Sequence, residues 1–533
     1  MGEVRKLQKK LRQIENLEIK ASLTTEERVK VSKKAELRAR LAELLLQHCG
    51  PQQPQSIVGD ESEKMKRQVP EVSSVPSPAP KVPRTATPET ETGTGTGAGQ
   101  GKGKGDSEED ADPQDNPAAP TETASPLQQK ESEFSSLKAS WEATKFRLRT
   151  LEGHSDIITC VVAVDNLVIS GSRDTTVKVW HVPTATEQRN LGGHSGGVTC
   201  LGVPPPEYCR RMARFLDLSE KERFILSGAS DCCVRVWVLS TGQCVKSIYT
   251  FNAVTALCFV PEGPGYIITG SDGGKVQTWS WQSMENCQSV NAHREAVTAL
   301  QSQGPLVFSG SADGGVCVWE VHPSQHHTPL HRLQDWGPSV TGCGGGAHLA
   351  LSPRGDRVFM ACGRASVRVL DWRTGSVSRV TNHSSTAGVT DCINQLSGLL
   401  IGSCFDLATG GSTLNLFTLP QCRYLVSLVL PPDTPRILCF AAWRTASGDH
   451  RWVTGGRELT VWEQLPSKTK HKGDVLVRRD CRLDTSLVES EEDSEGDVEE
   501  SDGYSEEDSL PGDVADVEEV VVSGSSWLRC VLQ

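Results

Sequence analysis

Three sets of residues in this 533-residue chain have types and spacings that chemistry uses. His154, His194 and His293 each precede an aspartate, Asp174, Asp231 and Asp313, and an imidazole held by a carboxylate is a general base. Each pair nevertheless returns at one place in a repeating unit. Repeats bury their faces on their neighbours and need the same satisfied polar groups every time, so the pairs read as structure. GQGKG around Lys102 invites comparison with a phosphate-binding loop, but Gly103 stands where Ser or Thr must hold magnesium, Thr96 replaces the first Gly, and no strand precedes it. The terminal Cys530-Val531-Leu532-Gln533 fits the C-a-a-X prenylation pattern with a farnesyl-type last residue, making Cys530 a candidate site. The acidic segment before it works against membrane binding, because an anionic leaflet repels it and one chain anchors weakly. No nucleophile elbow, HExxH helix or metal-spaced His/Cys cluster is visible. No cofactor, metal or small-molecule substrate is expected, and enzymatic activity is not expected.

The unit that positions the His and Asp residues is LVISGSRDTTVKVW, Leu167 to Trp180, an apolar run, a turn and an alternating strand. It returns as FILSGASDCCVRVW at Trp237, YIITGSDGGKVQTW at Trp279, LVFSGSADGGVCVW at Trp319 and WVTGGRELTVW at Trp462. Weaker copies put Leu370 and Phe417 in the Trp position. The anchors 180, 237, 279, 319, 370, 417 and 462 recur at roughly 40 to 45 residues, the period of propeller blades, and make seven.

GHSDIITC, GHSGGVTC and AHREAVTA stand upstream of the first, second and fourth copies. With them the chain resembles the WD40 repeat family over about three fifths of its length. The resemblance implies an all-β seven-bladed WD40 β-propeller. It also implies hydrogen-bonded sets His154, Ser170, Asp174, Trp180; His194, Ser227, Asp231, Trp237; and His293, Ser309, Asp313, Trp319. Blades three, five, six and seven lack the Gly-His pair and have incomplete sets. The first strand in such proteins completes the last blade, so residues 146–150 are expected to pair with the strands ending at Trp462 and leave no open edge at the seam. The rim formed by the loops entering each blade and by the turns between second and third strands is the family's usual docking face. Here it would present Asp156, Arg173, Arg294 and Arg364. Leu370-Asp371-Trp372-Arg373 resembles the W-D-x-R ending of adaptor-binding WD40 proteins, with Leu for Trp and no turn Asp upstream.

Charge divides the chain. Residues 1–48 carry twelve Lys/Arg against seven Glu, a balance of 12 − 7 = +5, and residues 480–533 carry eighteen Asp/Glu against two Arg, a balance of 2 − 18 = −16, so the rest is near neutral in a total of −12. No apolar run approaches the ~20 residues of a membrane span. The N-terminus has no hydrophobic signal region, and a cytoplasmic or nuclear protein is expected. Eighteen cysteines without a C-x-x-C pair, several on strands, read as small buried hydrophobes rather than a zinc or disulfide framework.

Val4, Leu7, Leu11, Ile14 and Leu17 form one stripe of a helix. A second helix follows a capping box, Thr24 with Glu27, and carries Leu37, Leu41, Leu44 and Leu45. The two can pair as a hairpin or coiled coil, dock on the propeller, or await a partner. KLQKKLRQIENLE resembles basic helical segments of translation-associated proteins, which implies ribosome or RNA contact through a phosphate-attracting face. The Pro/Thr/Gly-rich stretch from 49 to 130 reads as a disordered linker. Phe134, Leu137 and Trp141 mark a lead-in helix. Between the first two strands of blade two, Pro204 to Arg223 is an insertion in which Tyr208, Arg210, Arg211 and Phe215 either bind a partner or belong to a helix that caps the lower rim. After Pro466 an acidic, self-repelling tail carries Ser490, Ser494, Ser501 and Ser505 in acidophilic-kinase contexts.

The expected domains are therefore a basic helical pair at 1–48, a linker at 49–130, a propeller with its lead-in helix at 131–466 and an acidic tail at 467–533. The expected function is a scaffold or adaptor that binds proteins through propeller loop faces and the N-terminal helices. The alternatives are a substrate receptor of a cullin-RING ubiquitin ligase and an RNA- or ribosome-associated adaptor. Membrane contact is expected only if Cys530 is prenylated.

Overall fold

In a computed structural model the described residues are 2–20, 22–48 and 126–465, apart from 326, 344–347, 353, 381–384, 386 and 433, together with 478–479. Most of the expected linker, the candidate phosphoacceptor serines and Cys530 lie outside the described residues.

Seven antiparallel sheets follow one another along the chain. The first strand of each blade lies beside the first strand of the next, and that of blade seven returns to blade one, so the ring is closed. Closure is made by the strand β1, Phe146–Leu151, which joins blade seven beside Leu459–Gln464 with Phe146 opposite Gln464 and Leu151 opposite Leu459. Apolar clusters fill all seven seams between neighbouring blades. Trp180, Trp237, Trp319 and Trp462 are 2% exposed or less. Each large apolar side chain buried in a seam contributes about 1.5–3 kcal/mol.

The first strands carry a recurring device. In blades one to four the register skips one residue, Thr159, Thr199, Thr255 and Thr298, so each threonine is the extra residue of a β-bulge. Freed from the ladder, the hydroxyls of Thr159, Thr199 and Thr255 donate across the seam to the carbonyls of Val198, Val254 and Val297. The seam is tight there. A Cβ on Gly171 would sit 2.6 Å from Val198, and one on Gly228 2.6 Å from Val254.

The N-terminal segment forms three helices, α1 (Gly2–Leu17), α2 (Thr25–Ser32) and α3 (Lys34–His48). The expected second helix is thus divided at Lys33, and its capping box is present, Thr24 Oγ1 accepting from Glu27 N at 3.2 Å. Val4, Leu7 and Leu11 of α1 and Leu41 and Leu44 of α3 pack together on Ala387, Val389, Phe405 and Leu407 of blade six. Of the open alternatives, the chain takes a hairpin docked on its own propeller. The lead-in helix α4, Pro126–Ala143, starts inside the stretch expected as linker, with proline at a helix start where its missing N–H costs nothing. Trp141 of α4 is buried and stacks on Trp452, centroids 6.0 Å apart. α4 also lies against the outer strand of blade six, Tyr424–Val429, with which residues 478–479 pair, and that strand is buried where the outer strands of blades one and three stay largely exposed.

One expectation about cysteine is corrected. Cys343 and Cys362 are disulfide-bonded, with Cα atoms 5.8 Å apart, because the loop entering blade five lies against the end of that blade's second strand. Two cysteines nineteen residues apart gave no such signal in the sequence.

Candidate functional site

The recurring polar groups of the blades are built into the seams. His154 Nδ1 lies 2.7 Å from Asp174 and Nε2 2.7 Å from Ser170 Oγ, which accepts the Trp180 indole N–H at 2.8 Å. A carboxylate only accepts, so Nδ1 carries the ring proton, and Nε2 accepts the Ser170 hydroxyl proton. Hydrogen bonds then run in one direction, Trp180 to Ser170 to His154 to Asp174. Blade two repeats this with His194 at 2.9 Å from Asp231 and 2.7 Å from Ser227, and Trp237 at 2.8 Å from Ser227. Burial, working against the attraction of Asp174, lowers the His154 pKa and keeps the ring neutral. Burial works to raise the Asp174 pKa, and hydrogen bonds from Thr176 and His154 outweigh it and hold the carboxyl low.

Ser170, His154 and Asp174 have the order of a hydrolytic triad, yet Ser170 is 0% exposed and its oxygen is occupied by an indole. Substrate has no access to it. In blade four His293 reaches Ser309 at 2.8 Å and Trp319 donates to the same oxygen at 3.0 Å, but among the described residues no hydrogen bond joins His293 to Asp313. Blade four also differs one residue earlier. Gly153 and Gly193 have φ of 157° and 150°, and a Cβ on Gly153 would stand 2.9 Å from Trp180; Ala292 carries that Cβ.

Sequence reasoning missed that Thr269 and Thr454 replace serine in blades three and seven, accepting from Trp279 at 2.9 Å and Trp462 at 3.1 Å. The signal was present as ITGS and VTGG at the place of ISGS.

The rim candidates separate. Arg173 grips Asp156 at 2.6 and 2.8 Å, and its third contact, at 2.6 Å, is the carbonyl of Ile19 behind α1. Arg436, in the loop entering blade seven, reaches Asn16 Oδ1 at 3.2 Å. The hairpin therefore covers the rim over blades six, seven and one. Arg364 is half-buried in the turn of blade five and has partners of its own, whereas Arg294, on the uncovered side, is exposed. On that same side Tyr249 and Phe251 are 58% and 75% exposed, with rings 5.2 Å apart. Phe251 has φ of 67°, an uncommon backbone for an aromatic, and Thr250 beside it bonds the carbonyls of Cys232 and Asn252. These aromatics were not singled out in the sequence because Tyr249 ends an outer strand without an apolar alternation and Phe251 sits in the loop after it.

On the opposite rim the insertion forms helix α5, Pro206–Phe215. Its four candidates divide between the two roles. Tyr208 is buried, donates to the Gly263 carbonyl at 2.9 Å and packs on Phe259, so it fastens the helix to blade three. Arg211 donates to the same carbonyl at 3.0 Å. Arg210 is exposed, and Phe215 is half-exposed between Trp281 and Lys246. On this rim too, Asp371 accepts from the Arg373 and Thr374 amides, Trp372 is buried, and Arg373 lies exposed 4.7 Å over the Trp372 ring. Among the described residues no group of three or more His, Cys, Asp or Glu is placed to hold a metal, and no helix is long and apolar enough to cross a membrane.

Comparison with known proteins agrees with this geometry. The model of the WD domain, G-beta repeat matches residues 145–181, 185–238, 242–280 and 284–320, the blades that retain most of the Trp–hydroxyl sets. Protein ROOT INITIATION DEFECTIVE 3 of Arabidopsis thaliana is 28% identical over 212 residues, 36% of this chain and 45% of that protein. Mitochondrial division protein 1 of Neosartorya fischeri is 26% identical over 254 residues, 44% of this chain and 34% of that protein. Small ribosomal subunit protein RACK1y of Oryza sativa is 26% identical over 183 residues, 32% and 49% of the two chains. The chain thus spans less than half the length of each of these relatives. Four matched repeats, seven sheets closed into a ring by β1 and the recurring Trp–hydroxyl pairs together place the chain in the WD40 repeat family of β-propeller proteins.

Proposed function

We propose that this chain is a non-enzymatic adaptor that binds partner proteins through the uncovered rim of blades two to four. The observation that carries the reading is the exposed aromatic pair Tyr249 and Phe251 on the same uncovered rim as exposed Arg294. Aromatic and arginine side chains dominate the energy of protein interfaces, and a strained, exposed aromatic is kept where it has work to do. Proximity labelling with the full chain and with Tyr249→Ser/Phe251→Ser tests it. Loss of a defined set of partners from a folded double variant supports the reading, and an unchanged set overturns it.

Two further readings have their own support. Exposed Lys6, Lys9 and Lys10 on α1, with the similarity to a small ribosomal subunit protein, favour ribosome or RNA contact by the N-terminal helices. Ribosome co-sedimentation that disappears in Lys6→Glu/Lys9→Glu/Lys10→Glu is the expected result. Exposed Arg373 favours a cullin-RING substrate receptor, which recovery of ligase subunits by the wild type and not by Arg373→Ala would support. Membrane contact and a departure from the cytoplasm or nucleus follow only if Cys530 is prenylated. Isoprenoid incorporation lost in Cys530→Ser is the test.

A further inference from the structure

A cleft of about 860 Å³ opens between the N-terminal hairpin and the rim of blades six, seven and one. Lys34, Arg38, Arg436 and Arg457 line it together with Glu15 and Glu18. Lys34 is bound by Glu15 at 2.9 Å and Glu18 at 2.6 Å, Arg38 shares Glu15 at 2.6 Å, and Arg436 is taken by Asp391. Four cations thus meet three carboxylates, a balance of 4 − 3 = +1. The surplus is Arg457, exposed in the turn of blade seven with no side-chain partner among the described residues. The Arg38 Nε–H is a second vacancy, buried without an acceptor. The remaining wall sets Leu430, Pro431, Pro432 and Leu438 beside Thr409 and Thr434. Its aromatic member, Phe405, is buried beneath Arg38, so no ring is offered for a base to stack on.

We propose that this cleft binds an acidic peptide, placing a carboxylate between Arg457 and Arg38 and an adjacent aliphatic side chain on the proline-rich wall. A pocket of this size that sets an apolar patch beside a surplus of positive charge suits such a segment. Because its two sides come from the hairpin and the propeller, an occupant holds one to the other. The site narrows the adaptor reading to one ligand class and rests on it.

The test uses the full chain on beads with two decapeptide libraries that alternate Leu, Ile, Val or Phe with either Asp/Glu or Lys/Arg. Retention of the acidic library about tenfold above the basic one, lost in Arg457→Glu, is expected for one charge-assisted contact. Lys9→Glu/Lys10→Glu, on the outer face of α1, leaves that retention unchanged. Bound acidic peptide also slows amide exchange across residues 2–48. Equal retention of both libraries, no effect of Arg457→Glu, an equal loss in Lys9→Glu/Lys10→Glu, or displacement of the peptide by single-stranded RNA each overturns the proposal. Partner recovery in the Tyr249→Ser/Phe251→Ser experiment is read on the other half of the rim, so failure here is distinguishable from failure of the adaptor reading.

Discussion

Arg436 closes both arms of its guanidinium on Asp391, Nε at 2.6 Å and Nη2 at 2.7 Å from the two carboxylate oxygens, and the pair is largely buried where blades six and seven meet the hairpin. Removing one member of a buried pair strands the other. Asp391→Ala is expected to cost about 3–5 kcal/mol in denaturant unfolding. Arg436→Lys keeps the charge but not the two-armed geometry, and is expected to lose less while releasing Asn16.

Docking of the hairpin depends on Leu11, fully buried between α3 and blade six. Leu11→Ala is expected to weaken it by about 2–5 kcal/mol. Amide exchange should rise across residues 2–48 while propeller unfolding keeps its midpoint; a uniform loss across the blades would contradict a separately docked hairpin.

Ser170→Ala leaves the Trp180 N–H and the His154 Nε2 without partners inside a closed seam. The expected cost is about 1–3 kcal/mol. Ser170→Thr should be far milder, because Thr269 and Thr454 do the same task in blades three and seven. Thermal unfolding of the two variants separates the missing hydroxyl from a packing change.

Gly171→Ala introduces a Cβ 2.6 Å from Val198 and 2.7 Å from Cys160. Overpacking of this kind costs about 1–3 kcal/mol. Gly171→Ala with Val198→Ala should recover part of that loss, and additivity of the two in a double-mutant cycle would place the strain elsewhere.

Stability should fall in acid through the buried histidines. Burial, reinforced by Arg444, pushes His450 from 6.5 down to about 4. The unfolded chain binds this proton first as pH drops, so the contribution is complete above pH 6.5 and is lost as pH falls toward 4. At about 1.4 kcal/mol per pH unit the loss from this group approaches ~3 kcal/mol. His154, His194 and His293, lowered chiefly by burial, add to it in the same direction below pH 6.5. His450→Phe, which keeps a ring against Trp141 and Trp452, should flatten the melting temperature between pH 6.5 and 4.

The ring was legible because each blade repeats one pattern. Trp, Ser and Asp at fixed offsets announced the sets of blades one and two, and the alternation of KFRLRTL announced β1. What could not be read depends on contacts between distant segments. The stripe of Leu7 and Leu11 showed that α1 needs a cover but not that Phe405 and Leu407 supply it. Asp156 and Arg173 read as docking-face residues, and only the fold shows them paired with each other and Arg173 held by the Ile19 carbonyl. In the insertion, Tyr208 and Phe215 differ only in which way the helix turns, and burial on Phe259 decided that.

The strand that shuts the ring leaves the ribosome long before its neighbour does. From Phe146 to Gln464 is 464 − 146 = 318 residues. At roughly 5–20 residues per second, β1 waits on the order of 15–60 s with both edges unpaired. During that interval the nascent arc is a ladder open at each end, so the edge of β1 and of the newest blade are where a chaperone has most to shield in this chain.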